Sequence, residues 1–196
     1  MKELEHLSEI YKNYDTFVID LWGVIHNGIK LNPKAIEAID QLKNNAKKVI
    51  FLSNAPRPSS KVIKFLLMMN MEQKHLRNVM TSGEAAMHAI NQNKFGKTFF
   101  HLGPPRDISI FDKIKDNHTE IVKSDFILCT GLFDDHGDDL DYYKNFLANH
   151  TSKKLVCTNP DLTVHRGNIE ELCAGSVAKV FENLGGEVVY FGKPHK

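Results

Sequence analysis

Cysteine is scarce in this chain. Its three thiols, Cys129, Cys157 and Cys173, show no CxxC spacing. That excludes a disulfide-framed secreted fold and a thiolate zinc site, and points to buried free thiols in a reducing cytosol. An excess of charge of one sign is also missing. Twenty-five Lys and Arg stand against 24 Asp and Glu, a formal balance of +1, so no basic footprint invites nucleic acid. No apolar run exceeds the five residues of 65–69, far short of the ~20 that cross a bilayer. Residues 1–10 hold three acidic side chains and no apolar stretch, unlike a signal peptide. The ten histidines are scattered without metal-ligand spacing, and no GxGxxG follows a strand-like run, which disfavours a dinucleotide module. No fixed-period repeat or low-complexity stretch is visible. What remains is ordinary globular composition, 42% hydrophobic and 25% charged, enough for one large domain or two small ones.

Along the chain, short apolar β-rich runs alternate with amphipathic stretches. Leu4, Leu7 and Ile10 give a short helix-like entry. Residues 16–19, 49–52, 78–80, 99–102, 126–129, 155–157 and 188–191 read as strands. Asn32-Pro33 opens a helix with Ile36, Ile39 and Leu42 on its apolar stripe. Ser59 or Ser60 is expected to cap the next, with Val62, Ile63 and Leu66 inward. Thr81-Ser82-Gly83 and Gly175-Ser176 open two more. Parallel strands need helical crossovers, so the alternation predicts a doubly wound α/β sheet. Turn residues cluster near 95–97 and between 159 and 171, where changes of domain are expected. The acidic run 133–141 lacks the spacing of a calcium-binding hand. It reads as a solvated loop, with Asp138 or Asp139 capping a helix over 142–147.

Three places are candidates for chemistry. Asp20 ends the first strand, and open α/β sheets bind ligands beyond the carboxyl ends of strands. A carboxylate there either attacks phosphorus, with magnesium offsetting the like charge, or caps the following turn. Ser53 and Asn54 end the second strand, where they either hold a phosphoryl group or form only a turn. Lys193 follows the last strand and either neutralises an anionic intermediate or lies on the surface. Arg57 and Arg106 read as surface residues with a phosphate or substrate contact as the alternative. Asn159 and Asp161 fit a cleft wall or a hinge turn.

The runs Phe17-Val-Ile-Asp20-Leu-Trp22-Gly23-Val24, Phe51-Leu-Ser53-Asn54 and Phe191-Gly192-Lys193-Pro194 occur in this order. They resemble the first three motifs of the haloacid dehalogenase (HAD) superfamily, specifically its subfamily IIA of nucleotide-phosphatase-like, p-nitrophenyl-phosphatase-like and pyridoxal-phosphatase-like proteins. Val79-Met-Thr81-Ser82-Gly83-Glu84-Ala85-Ala86, Thr158-Asn159-Pro160-Asp161 and Cys173-Ala-Gly175-Ser176 resemble it too, so nearly the whole chain is covered. The resemblance implies an HAD-like doubly wound parallel-sheet core, here incomplete, with an inserted α/β cap domain. Residues 1–96 would be the N-terminal part of the core, 97–165 the cap and 166–196 the return to the core. It also implies cytoplasmic hydrolysis of a small phosphorylated metabolite, a phosphomonoester, through an aspartyl phosphate. Asp20 would be the nucleophile and a Mg²⁺ ligand, and Trp22 would lend Mg²⁺ its backbone carbonyl. Ser53, with Asn54 beside it, would bind the transferring phosphoryl group, and Lys193 would steady the charge on Asp20 and the phosphate.

Two features depart from the family pattern. The family carries a second aspartate two residues after the nucleophile, which protonates the leaving oxygen and later activates water. Here that position is Trp22, whose indole is a donor that does not titrate, and acid–base help of this kind is typically worth ~10²–10⁴-fold. His26, four residues on, reads as an exposed turn histidine rather than a substitute. The helix and acidic metal strand that follow the Gly-Lys-Pro motif in the family have no counterpart before Lys196. Weak Mg²⁺ binding is therefore expected, with an exposed edge beside the Asp20 strand. A second copy or a complementing C-terminal fragment is the expected partner. Two readings follow: a phosphatase with impaired turnover, or a non-catalytic relative that binds phosphorylated ligands or a partner.

Overall fold

The computed structural model describes residue 4 and residues 6–195, so part of the acidic stretch over 1–10 and the terminal Lys196 lie outside the described residues. The entry forms two short 3-10 turns, Leu7–Glu9 and Tyr11–Asn13. Strand β1 (Thr16–Ile19) leads through a loop to α1 (Pro33–Asn44), which starts on proline behind Asn32 as the sequence predicts. After β2 (Lys48–Ser53) comes α2 (Ser59–Met68). Its N-cap is Pro58 and not Ser59 or Ser60. Instead, the Ser59 N–H donates to Glu84 Oε2 at 3.2 Å, so a side chain from another helix does the capping. Then β3 (Val79–Thr81) runs into α3 (Ser82–Asn91), where the Thr81 hydroxyl accepts the Glu84 N–H at 3.2 Å.

The second half holds β4 (Phe99–Leu102), a 3-10 stretch over Pro105–Asn117, β5 (Phe126–Cys129), α4 (Leu140–Leu147) and β6 (Lys154–Cys157). Asp139 caps α4 through the Tyr142 N–H at 2.9 Å, as expected. A hairpin of β7 (Thr163–Arg166) and β8 (Ile169–Leu172) follows, then α5 (Ala174–Asn183) and β9 (Glu187–Tyr190). The hairpin was not among the expected strands. Its signal is Gly167-Asn168 between two four-residue runs, a turn pair with Gly167 at φ +63°.

Strands β1, β2 and β3 form one parallel sheet, and β4, β5, β6 and β9 form another. The last strand joins the second of these sheets. β9 pairs in parallel with β6, with Val156 opposite Val189. A run of apolar residues announces a strand but carries nothing about which parallel edge it joins.

Alternate residues of the second sheet face two different cores. Ile127, Cys129, Leu155 and Cys157 pack against Tyr143 and Leu147 of α4 and Ala174, Val177 and Phe181 of α5. Phe126, Leu128 and Val156 face Ala86, Met87 and Ile90 of α3. Helices on both faces explain why these strands are apolar throughout. All three cysteines are buried free thiols. The first sheet is covered on one face only, where Val49 and Phe51 meet Ile39 and Leu42 of α1 and Val62 and Leu66 of α2.

Candidate active site

The carboxyl ends of both parallel sheets open onto one cleft of about 900 Å³. From the first sheet come Asp20, just beyond β1, and Ser53 and Asn54 at the end of β2. Facing them are the loops after β4 and β5 and the β7–β8 hairpin. Strand polarity accounts for this convergence, since each parallel strand delivers its following loop to the same side.

Asp20 Oδ1 accepts the Leu21 N–H at 2.8 Å and forms an ion pair with Lys193 Nζ at 2.6 Å. Lys193 Nζ also donates to the Leu52 carbonyl at 3.0 Å, which fixes the ammonium between the ends of β1 and β2. Oδ2 of Asp20 has no protein partner among the described residues, and the side chain is 41% exposed. One oxygen is thus anchored and the other is presented to the cleft. Ser53 is 5% exposed. Its Oγ accepts the Ala55 N–H at 3.2 Å, which leaves its own O–H to donate.

Asn54 stands differently from the expected phosphoryl contact. Its Nδ2 donates to Asp161 Oδ1 at 2.8 Å and to the Lys193 carbonyl at 3.0 Å, and its Oδ1 accepts the Lys193 N–H at 2.8 Å. The side-chain amide is committed to holding the Lys193 backbone in place. Gly192 permits that approach: it sits at φ +114°, and a Cβ there would stand 2.6 Å from Asn54 Oδ1.

Trp22 lines the cleft with its ring. Its indole N–H donates to the His165 carbonyl of β7 at 2.9 Å, and the Arg166 guanidinium lies over the ring at 5.3 Å. The Gly167 N–H donates to the Asn27 carbonyl at 3.0 Å. The loop after Asp20 and the hairpin therefore interlock beside the nucleophile candidate. His26 is buried at 4% exposure, not an exposed turn residue. It packs edge-on to Trp22 and Phe65, and its Nδ1 accepts the Gly28 N–H at 3.1 Å. Burial lowers its pKa; Asp20 opposes that shift and Arg166 adds to it.

Arg57 is tied into the cleft wall: its Nε donates to the buried Asp107 carboxylate at 2.6 Å. Arg106 pairs with Asp134. The Asn159 side chain accepts the Asp161 N–H at 3.1 Å, a turn that aims Asp161 at Asn54.

Magnesium would find two oxygen donors in the expected places, Asp20 Oδ2 and the Trp22 carbonyl. Neither is hydrogen-bonded within the described residues. No cluster of three or more His, Cys, Asp or Glu able to hold a metal occurs among the described residues. Two oxygens fit part of an octahedral shell, not all of it.

Residues 17–115, half of the chain, match the haloacid dehalogenase-like hydrolase family. A crystal structure of a haloacid dehalogenase-like hydrolase from Brucella suis 1330 is 31% identical, covers 98% of this chain and 71% of its own, and superposes with a TM-score of 0.91. The chain belongs to the haloacid dehalogenase-like hydrolases. Two more distant structures share the fold. The 4-nitrophenylphosphatase of Thermotoga maritima is 21% identical, with a TM-score of 0.64 over 93% of this chain and 69% of its own. The glycerol phosphate phosphatase of Mycobacterium tuberculosis, solved with calcium, is 20% identical, with a TM-score of 0.66 over 94% of this chain and 55% of its own. No curated protein sequence matches. The α/β architecture with a cap and the resemblance to the HAD superfamily are thereby borne out. No described helix is long and apolar enough to cross a membrane.

Proposed function

We propose that the protein hydrolyses phosphomonoesters of small metabolites by way of a phosphoryl group carried on Asp20. The observation that supports this best is the asymmetry of the Asp20 carboxylate, with Oδ1 pinned by Lys193 at 2.6 Å and Oδ2 open to the cleft. In this reading Oδ2 attacks phosphorus and the bond from phosphorus to the ester oxygen breaks. Water then attacks the aspartyl phosphate, the bond to Asp20 breaks, and inorganic phosphate leaves. The Ser53 hydroxyl donates to a phosphoryl oxygen, and the Lys193 ammonium offsets the charge that accumulates between Asp20 and phosphate. Asn54 acts at one remove by fixing Lys193. Magnesium, when bound through Asp20 and the Trp22 carbonyl, would supply further positive charge against the phosphoryl oxygens. The buried free thiols suit a cytosolic setting.

A second reading, phosphate binding without turnover, draws on Trp22: the indole hydrogen is committed to His165, so the position of the family's acid and base has neither function here. Phosphate release from a panel of phosphomonoesters, for the full-length protein and its Asp20→Asn variant, separates the two. Release that disappears in the variant supports hydrolysis. Beryllofluoride binding that depends on Asp20, with no release from any ester, supports the second reading. Neither binding nor release would sink both.

A further inference from the structure

The cleft is lined by two histidines, His26 and His165, and by the basic side chains Lys61, Arg57, Arg106 and Arg166. Its carboxyl side chains besides Asp20 are Asp107, Asp134, Asp161 and Glu171. Asp107 is held by Arg57, Asp134 by Arg106, Asp161 by Asn54 and Glu171 by Arg166. Each of the four is thus engaged by a guanidinium or an amide. Trp22 spends its one N–H on the His165 carbonyl. His26 receives the Gly28 N–H on Nδ1, which leaves Nε2 to carry the proton of the neutral ring, and that ring is buried against Trp22 and Phe65. The position two residues beyond the nucleophile has become a docking point for the hairpin.

We infer that the site takes activated phosphate donors, namely acyl, enol or aryl phosphates whose leaving oxygen departs as a stable anion, and that the Asp20 phosphoryl group persists long enough to accumulate. This deepens the proposed hydrolysis and rests on it. In the first step, Asp20 Oδ2 bonds to phosphorus and the leaving oxygen takes the electron pair of the broken bond, with its proton supplied later by bulk water. A good leaving group needs no acid there. In the second step, water attacks phosphorus, the bond to Asp20 breaks and the proton goes to solvent. No leaving-group property helps that step, so it is the slow one for every activated donor.

The test is steady-state and rapid-quench kinetics on full-length protein with a series of aryl phosphates of graded leaving-group pKa, acetyl phosphate and an alkyl phosphate. The expected result is kcat/KM that falls steeply with leaving-group pKa, an alkyl ester about 10²–10⁴-fold slower than the best aryl ester, and one kcat with a burst shared by the activated donors. Trp22→Asp should raise kcat/KM for the alkyl ester and shrink the burst. Trp22→Phe keeps the ring, adds no acid and should leave the steep dependence in place. Alkyl and aryl esters turned over with equal kcat/KM by the unmodified protein would overturn the inference. So would a His165→Gln variant in which alkyl turnover alone collapses, since the exposed hairpin histidine would then be the acid. Failure of every donor to phosphorylate Asp20 would instead remove the hydrolysis reading beneath it.

Discussion

The amide of Asn54 has two N–H hydrogens and one oxygen, and all three are engaged, with the Asp161 carboxylate and with the N–H and carbonyl of Lys193. Removing that brace should matter more for catalysis than for folding. Asn54→Ala is expected to cost about 1–3 kcal/mol of stability and about 10²-fold in phosphate release, the scale of a catalytic group displaced by an ångström. Chemical denaturation beside an activity assay checks this, and a variant of normal activity would show that Lys193 holds its place unaided. Asp20, Ser53 and Lys193 could be singled out in the sequence because each stands at or just past the end of a strand within a short contiguous motif. The duty of Asn54 was not, because its partner Asp161 is 107 positions away, and Trp22 reaches His165 across 143. His101 offers a prediction on pH. Burial, with His118 adding, lowers its pKa to about 4 from an ordinary 6.5. The unfolded chain therefore binds more protons between those values, and stability is complete above about pH 6.5 and lost as pH falls toward 4. From pH 7 to pH 5 the loss is about 2 kcal/mol from this group. His26 and His75, both lowered chiefly by burial, add in the same direction. Urea unfolding at the two pH values should show the loss, with a shallower slope in His101→Gln. Equal slopes would contradict it.

At the scale of elements, β1 is the edge of the first sheet, and one face of that sheet lies open. Val18 is 60% and Met80 57% exposed, with Ile50 and Leu52 half-buried between them. The register puts Val18 beside Ile50 and Leu52 beside Met80, which makes one continuous apolar stripe. An unpaired edge next to such a stripe promotes association. The 196-residue chain is expected to self-associate in sedimentation velocity. Val18→Lys should reduce that while changing stability by no more than about 0.5 kcal/mol. A chain that stays monomeric and melts sharply at high concentration would contradict it. The alternating pattern made these strands readable, but not the pairing of β9 with β6. The β7–β8 hairpin was hidden for a related reason: its polar, exposed strands lack the apolar runs by which the others announce themselves.

For the molecule as a whole, two parallel sheets present their carboxyl ends to a common cleft, and polar contacts join them beside the apolar packing of α3. Ser82 Oγ lies 2.6 Å from the Thr158 carbonyl and 3.1 Å from that of Ala55, which links the loops after β6 and β2. Lys193, reached from β9 of the second sheet, completes the charge balance of Asp20 at the end of β1. The candidate nucleophile and its counter-charge thus come from different sheets. The most direct measurement is the mass of the Asp20 peptide after the full-length protein is mixed with acetyl phosphate and Mg²⁺ and quenched in acid. A phosphoryl adduct on that peptide, missing from the Asp20→Asn protein, is the result expected. An unmodified Asp20 in a protein that still releases phosphate would show that the reaction runs through another group.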